Sequence, residues 1–148
     1  MIRIALGADH AGYRLKQAVA AHLKARGHEV IDLGTHDEER CDYPDYGAAV
    51  ARAIVVDGAA DLGVCVCGTG IGIAIAANKV PGARAAVVHD ATTGRLAREH
   101  NDANIVCLGA RVVGEAAALD ALDAFLDGRF AGGRHARRIE KIHRLEAP

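Results

Sequence analysis

The residues best placed to do chemistry in this chain stand together at Cys67-Gly68-Thr69-Gly70-Ile71-Gly72. The apolar run Leu62-Gly63-Val64-Cys65-Val66 precedes them, and Ile73-Ala74-Ile75-Ala76-Ala77-Asn78-Lys79 follows. The first piece reads as a buried strand and the last as the start of a helix. A glycine-rich turn at that junction aims several backbone N–H groups at one point, where a helix N-terminus adds partial positive charge. This is a cradle for an anion, with a thiol at its lip. Three glycines at alternate positions exceed what a tight turn needs, which favours an oxyanion or phosphate site over a turn with no ligand. Beside such donors a thiol ionises more readily than at its usual value of about 8.5. Cys67 therefore reads as a catalytic thiol, while Cys65 and Cys107 read as small buried apolar residues.

Two rivals compete for the same turn. A dinucleotide fingerprint would expect an acidic residue about 20 positions on, where Asp90 ends the next strand. The spacing here is GxGxG rather than GxGxxG, however, and the turn follows the third strand. A Walker loop is excluded because no Gly-Lys-Ser/Thr follows. Cys65 and Cys67 would face one side of a strand as a metal pair, but no second ligand pair stands at a recognisable spacing, and the expectation is no metal.

Further polar clusters lie at Asp9-His10, at His100-Asn101-Asp102, and at Arg111 with Arg134, His135, Arg137 and Arg138. His10 is expected at the same sheet edge as Cys67. His100 ends a helix, where a cation is favoured, as suits a general acid near neutral pH. Spacing alone leaves each histidine readable as structural or catalytic. Arg134 and Arg138 are four apart and share a helix face, and their forks suit the oxygens of a phosphate. A solvated basic face, or nonspecific nucleic-acid contact, is the plainer reading. A tail helix projecting from a compact domain would lie across a partner subunit and place both arginines in the neighbour's site.

The elements that must position these residues alternate. Strands are expected at 3–6, 29–33, 61–67, 84–89 and 104–108, and helices at 11–26, 45–57, 71–79, 91–100 and 114–126. The first helix carries Leu15, Val19 and Leu23 on one face and ends at Gly27; Asp45, after Pro44, is the expected N-cap of the second. A basic tail helix follows over 132–145. This order implies right-handed βαβ crossovers and an α/β fold: a three-layer α/β/α sandwich on a Rossmann-like, five-stranded parallel sheet. Ligands bind such sheets at the carboxyl ends of the strands, and the polar residues Asp9, His10, Cys67, Thr69, His89, Asp90 and Arg111 follow strands.

At 148 residues the chain is expected to form one domain, with an arm from about residue 129. Net charge is −1 and aromatics make up 3%, so neither a global field nor stacking platforms favour nucleic acid or an anionic membrane. No secretory signal or membrane-length apolar run is visible. The four cysteines, Cys41, Cys65, Cys67 and Cys107, lack CxxC spacing and suit reduced thiols in the cytoplasm.

Taken together, the motifs resemble the type B ribose-5-phosphate isomerases, a family that includes galactose-6-phosphate isomerase subunits. The resemblance rests on Gly7-Ala8-Asp9-His10-Ala11-Gly12, Asp42-Tyr43-Pro44, the Cys67–Gly72 turn, Ala76-Ala77-Asn78-Lys79, His100-Asn101-Asp102-Ala103-Asn104, Gly109-Ala110-Arg111-Val112-Val113-Gly114 and Gly132-Gly133-Arg134-His135. It implies interconversion of ribose 5-phosphate and ribulose 5-phosphate through a cis-enediolate, with no metal or organic cofactor. By position, His100 resembles the group that opens the sugar ring, and Cys67 the base that moves a proton between C2 and C1, with Thr69 beside it. The N–H groups from Gly68 through Gly70 and Ile71 to Gly72 resemble the cradle for the enediolate oxygens. Asp9 and Asn101 resemble hydroxyl and ring-oxygen contacts, and His10, Arg111, Arg134 and Arg138 the phosphate clamp. Tyr43 and Asp42 sit in a loop expected to line the substrate.

Some members of that family lack the thiol and use a glutamate in the following helix. This chain has Cys67 and no acidic residue from Gly68 to Lys79, so it resembles the cysteine type. The resemblance also implies a homodimer, or a pair of dimers, with sites shared between subunits. Isomerisation of a six-carbon or four-carbon sugar phosphate, and a non-catalytic sugar-phosphate-binding module, are the alternatives.

Overall fold

The computed structural model describes residues 1–146; residues 147 and 148, the end of the expected arm, lie outside the described range. Eleven elements alternate: β1 (Arg3–Ala8), α1 (Tyr13–Ala25), β2 (Glu29–Asp32), α2 (Tyr43–Val55), β3 (Leu62–Cys67), α3 (Ile71–Ala77), β4 (Ala85–Val87), α4 (Ala91–Asn101), β5 (Ile105–Gly109), α5 (Glu115–Asp127) and α6 (Arg134–Arg144). The five strands form one parallel sheet in the order β2-β1-β3-β5-β4. Helices cover both faces, as the alternation requires. Leu15, Val19 and Leu23 of α1 pack with Ala97 of α4 and Phe125 of α5 on one face. On the other, Val50 and Ala53 of α2 pack with Ile73 and Ala77 of α3. The three-layer expectation therefore holds.

Element ends depart from expectation where side chains capture the backbone. The first helix closes as expected: Gly27 donates to the Lys24 carbonyl at 3.0 Å and His28 to Leu23 at 3.1 Å, the paired bonds of a Schellman motif. Asp45 is not the cap of α2. The helix starts at Tyr43 with Asp42 at the cap position, because the fixed φ of Pro44 suits a first turn. β4 is three residues long rather than six. Beyond it, the N–H of His89 turns to the Thr93 hydroxyl at 3.0 Å. α3 stops at Ala77, and Asn78 then bonds both the N–H and the carbonyl of Ala85, at 2.8 and 2.9 Å. Helices α4 and α5 approach closely at Gly94, where a Cβ would lie 2.2 Å from the Ala121 carbonyl oxygen.

The tail helix α6 is not a free arm within the chain. His135 and Ile139 on its inner face are buried. Its far end is held by a 2.9 Å contact between His143 and Arg84, and by Glu146 accepting from the N–H of Gly82 at 2.9 Å. Among the described residues, no helix is long and apolar enough to cross a membrane.

Candidate active site

β1 and β3 run side by side, with Ala8 in register with Val66, so the residues just past each strand meet. Asp9 donates its N–H to the Val66 carbonyl at 3.2 Å, and its carboxylate accepts the Gly12 N–H at 3.0 Å. The Asp9 side chain is held nearly buried just past the end of β1. His10 follows at the mouth, as expected, and its Nδ1 accepts the N–H of Cys41 at 3.2 Å. A neutral ring so held carries its proton on Nε2, leaving that edge as a donor.

The turn after β3 has the expected form, with one correction. Cys67 is only 3% exposed, so the thiol lies at the floor of the cradle rather than at its lip. The reason is register: Cys67 points into the α2/α3 layer with Cys65 and Cys107, and Gly68 and Thr69 form the rim. The N–H of Gly70 donates to the Cys67 sulfur at 3.1 Å. Gly70 reaches that geometry at φ 79, in the region that glycine occupies without steric cost. The N–H of Ile71 donates to the Thr69 hydroxyl at 3.2 Å. The N–H groups of the first turn of α3, from Ile71 through Gly72, lie at its positive end.

Two further side chains border this turn. Arg111 follows β5, with its Nη1 and Cδ each 3.4 Å from where a Cβ of Gly68 would stand. The Tyr43 ring lies against Gly72, at 2.5 Å from the equivalent point. Asp9, His10, Tyr43, Cys67, Thr69 and Arg111 thus gather at the carboxyl edge of the sheet.

His100 and Asn101 do not. A helix that follows a parallel strand runs back along it, so the C-terminus of α4 lies at the amino edge. Asp102, the next residue, accordingly meets Arg84, which leads into β4, through its carbonyl at 2.9 Å. With six residues in β3 and a rise of about 3.3 Å per residue, the two groups in one chain stand roughly 20 Å apart. The amino-edge group has its own order. The His100 and His135 rings stack with centroids 4.3 Å apart and planes 13° from parallel. Burial first, then the neighbouring His100, Arg134 and Arg138 side chains, lower the pKa of His135 from its ordinary value. Arg134 and Arg138 are exposed on α6, one turn apart. Beside Asn101 a cavity of about 540 Å³ opens between the α3–β4 connection, β4 and the end of α6.

The stacking of His135 on His100 is a contact that motif reading misses. The spacing of His135 and Ile139 puts both on the inner face of α6, but nothing in the sequence discloses His100 as the partner.

Two other expectations are resolved by geometry. Asp90 is no ribose ligand. It caps α4 in a capping box with Thr93, accepting the Thr93 N–H at 2.7 Å, and that bond lowers its pKa. Its strand β4 is also separated from β3 by β5. Cys65 and Cys107 are fully buried and in register. The hydrogen bond from Cys65, together with burial, raises the Cys107 thiol well above its ordinary range. Among the described residues, no group of three or more His, Cys, Asp or Glu is arranged to hold a metal ion.

Comparison with known proteins adds to this geometry. The sequence profile of the ribose/galactose isomerases matches residues 4–142. The chain is 49% identical over 146 residues to the ribose-5-phosphate isomerase B of Escherichia coli (strain K12), covering 99% of this chain and 97% of that protein. The fold superposes on Clostridium thermocellum ribose-5-phosphate isomerase B with a TM-score of 0.95, at 56% identity and 97% coverage of each chain. It superposes on the Mycoplasma genitalium ribose-5-phosphate isomerase B crystallised with bound ribulose-5-phosphate with a TM-score of 0.92, at 43% identity, covering 97% of this chain and 95% of that one.

Proposed function

The chain belongs to the ribose/galactose isomerase family, and on that premise we propose that it interconverts ribose 5-phosphate and ribulose 5-phosphate through a cis-enediolate. The observation that carries the reading is the Gly70 N–H aimed at the Cys67 sulfur, one residue before the positive end of α3. A base and a set of oxyanion donors share one turn there. Moving a proton between C2 and C1 builds negative charge on O1 and O2. Fixed N–H donors facing those oxygens are usually the largest catalytic contribution in such chemistry.

In this reading His100 exchanges the proton that opens the furanose ring. Cys67 then takes the C2 proton and returns it to C1. Thr69 stands beside the thiol, and the N–H groups of Gly68 to Gly72 hold the enediolate oxygens. Asp9 and Asn101 contact sugar hydroxyls and ring oxygen, and Tyr43 walls the site. His10, Arg111, Arg134 and Arg138 hold the phosphate, whose remote binding energy keeps the reacting carbons in place. Because the two groups of residues stand at opposite sheet edges, a complete site takes its carboxyl edge from one chain and its amino edge from another. The working unit is a homodimer with shared sites. All four cysteines are unpaired, which suits the reducing cytoplasm.

A second reading keeps the chemistry and changes the sugar. The arginines on α6 set the distance from phosphate to cradle, so a small shift of α6 would suit a six-carbon or four-carbon substrate. Turnover of ribose 5-phosphate, allose 6-phosphate, galactose 6-phosphate and erythrulose 4-phosphate, each with and without EDTA, decides. Fast, EDTA-insensitive conversion of ribose 5-phosphate is expected. Preference for another sugar would move the pathway, and binding without turnover of any would leave only a sugar-phosphate-binding module.

A further inference from the structure

Lys16 of α1 has no part in the chemistry above, yet it is the one charged side chain among the described residues with no exposed surface (0%). Its Nζ lies 2.6 Å from each carboxylate oxygen of Asp32. An ammonium out of water needs such a partner, and apolar residues of similar size often stabilise a fold as well as a buried ion pair does. A role in placement accounts for the pair better than stability alone.

Asp32 leads directly to the site. It is the last residue of β2, and its Oδ1 also accepts the N–H of Gly34 at 2.9 Å. The Gly34 carbonyl accepts the N–H of Ala8 at 2.8 Å, and the Thr35 N–H donates to the Ala8 carbonyl at 2.7 Å. The β1–β2 ladder ends at Leu6 and Asp32; past it, Leu33 donates to the Leu6 carbonyl at 2.8 Å, and this clasp holds Ala8 at the end of β1 on that side. Asp9 and His10 come next in the chain. The far end of the same loop returns to them, through the Cys41 N–H on His10. Arg14, on α1, grips the loop between these points by bonding Glu38.

We infer that Lys16 is a positioning residue: through Asp32 it fixes the loop at residues 34–42, and through that loop the placement of Asp9 and His10 in the sugar-phosphate site. The kinetic consequence rests on the isomerase reading; the structural consequence does not. Two double variants separate the parts. Lys16→Met/Asp32→Ala removes both the charge pair and the acceptor for Gly34. Lys16→Met/Asp32→Asn removes the charges and keeps an oxygen there.

Both are measured beside wild type for KM and kcat on ribose 5-phosphate, for the rate at which iodoacetamide alkylates Cys67, and for backbone hydrogen exchange. In the alanine pair, KM is expected to rise about tenfold with kcat changed less than about threefold, as loss of ground-state contacts requires. Exchange at residues 8–12 and 34–42 is expected to quicken at least about tenfold, while residues 62–72 and Cys67 alkylation stay as in wild type. The asparagine pair should move both readings back toward wild type. Wild-type KM with wild-type exchange in the alanine pair would overturn the inference. So would exchange raised equally at 62–72, or loss of the folded state in both pairs, since either would make the ion pair a general requirement of the fold. If wild type turns over no sugar phosphate, the isomerase reading fails by itself, and hydrogen exchange alone decides the role of Lys16.

Discussion

At the residue scale, the thiol and its donor are fixed by the backbone rather than by other side chains. Cys67 ends a central strand, and the Gly70 N–H reaches its sulfur at 3.1 Å, so removing the sulfur leaves the cradle standing. Cys67→Ala is therefore expected to lower kcat by at least about a thousandfold, within the range for loss of a general base. Affinity for ribose 5-phosphate, read by calorimetry, should stay within about threefold. Near-normal turnover would remove Cys67 as the base. His100 acts on the ring form alone in the proposed scheme. His100→Asn should thus slow the cyclic substrate by about a hundredfold and spare an acyclic aldose phosphate analogue. Equal loss on both would end the ring-opening assignment.

At the element scale, α4 holds His100 at its C-terminus and is itself seated on α5. Their contact tolerates no side chain at Gly94, where the Ala121 carbonyl stands 2.2 Å from a Cβ position. Gly94→Ala should cost about 1–3 kcal/mol, the range for overpacking. For a chain of this size that lowers Tm by about 2–4 °C per kcal/mol. An unchanged melting curve would mean that the helices separate freely. The interiors of such elements are legible in sequence, because burial imposes spacing: Leu15, Val19 and Leu23 mark the inner face of α1. Their ends are less so. Tyr43 begins α2 because Pro44 accepts a first-turn position as readily as it ends a loop, and β4 yields to the Thr93 hydroxyl one turn ahead. Each end turns on one local bond competing with another of similar strength, which periodicity does not register.

At the scale of the whole molecule, a local motif and an assembled site differ in what sequence discloses. The cradle occupies six consecutive residues, so its chemistry is written in one place. The stacking of His135 on His100 and the seating of Tyr43 on Gly72 join distant segments and become visible only in three dimensions. The opposite placement of Cys67 and His100 follows from strand–helix alternation once each is assigned to the end of its element. It leads to a test by complementation. Mixed after unfolding and refolding, the inactive Cys67→Ala and His100→Asn chains should form half mixed dimers with one intact site each. Activity should return to about a quarter of wild type if two-fold pairing is random; no recovery would show that both residues act in one chain. How copies meet is further narrowed by Asn78. An edge strand with unpaired N–H and carbonyl groups invites another chain to extend the sheet. Asn78 occupies both groups of Ala85 at the start of β4, and the strand is only three residues long. That leaves a short stretch of free edge for strand addition on that side, so pairing of copies there is expected to use helices rather than strands, which disfavours fibrous growth while leaving a finite dimer open.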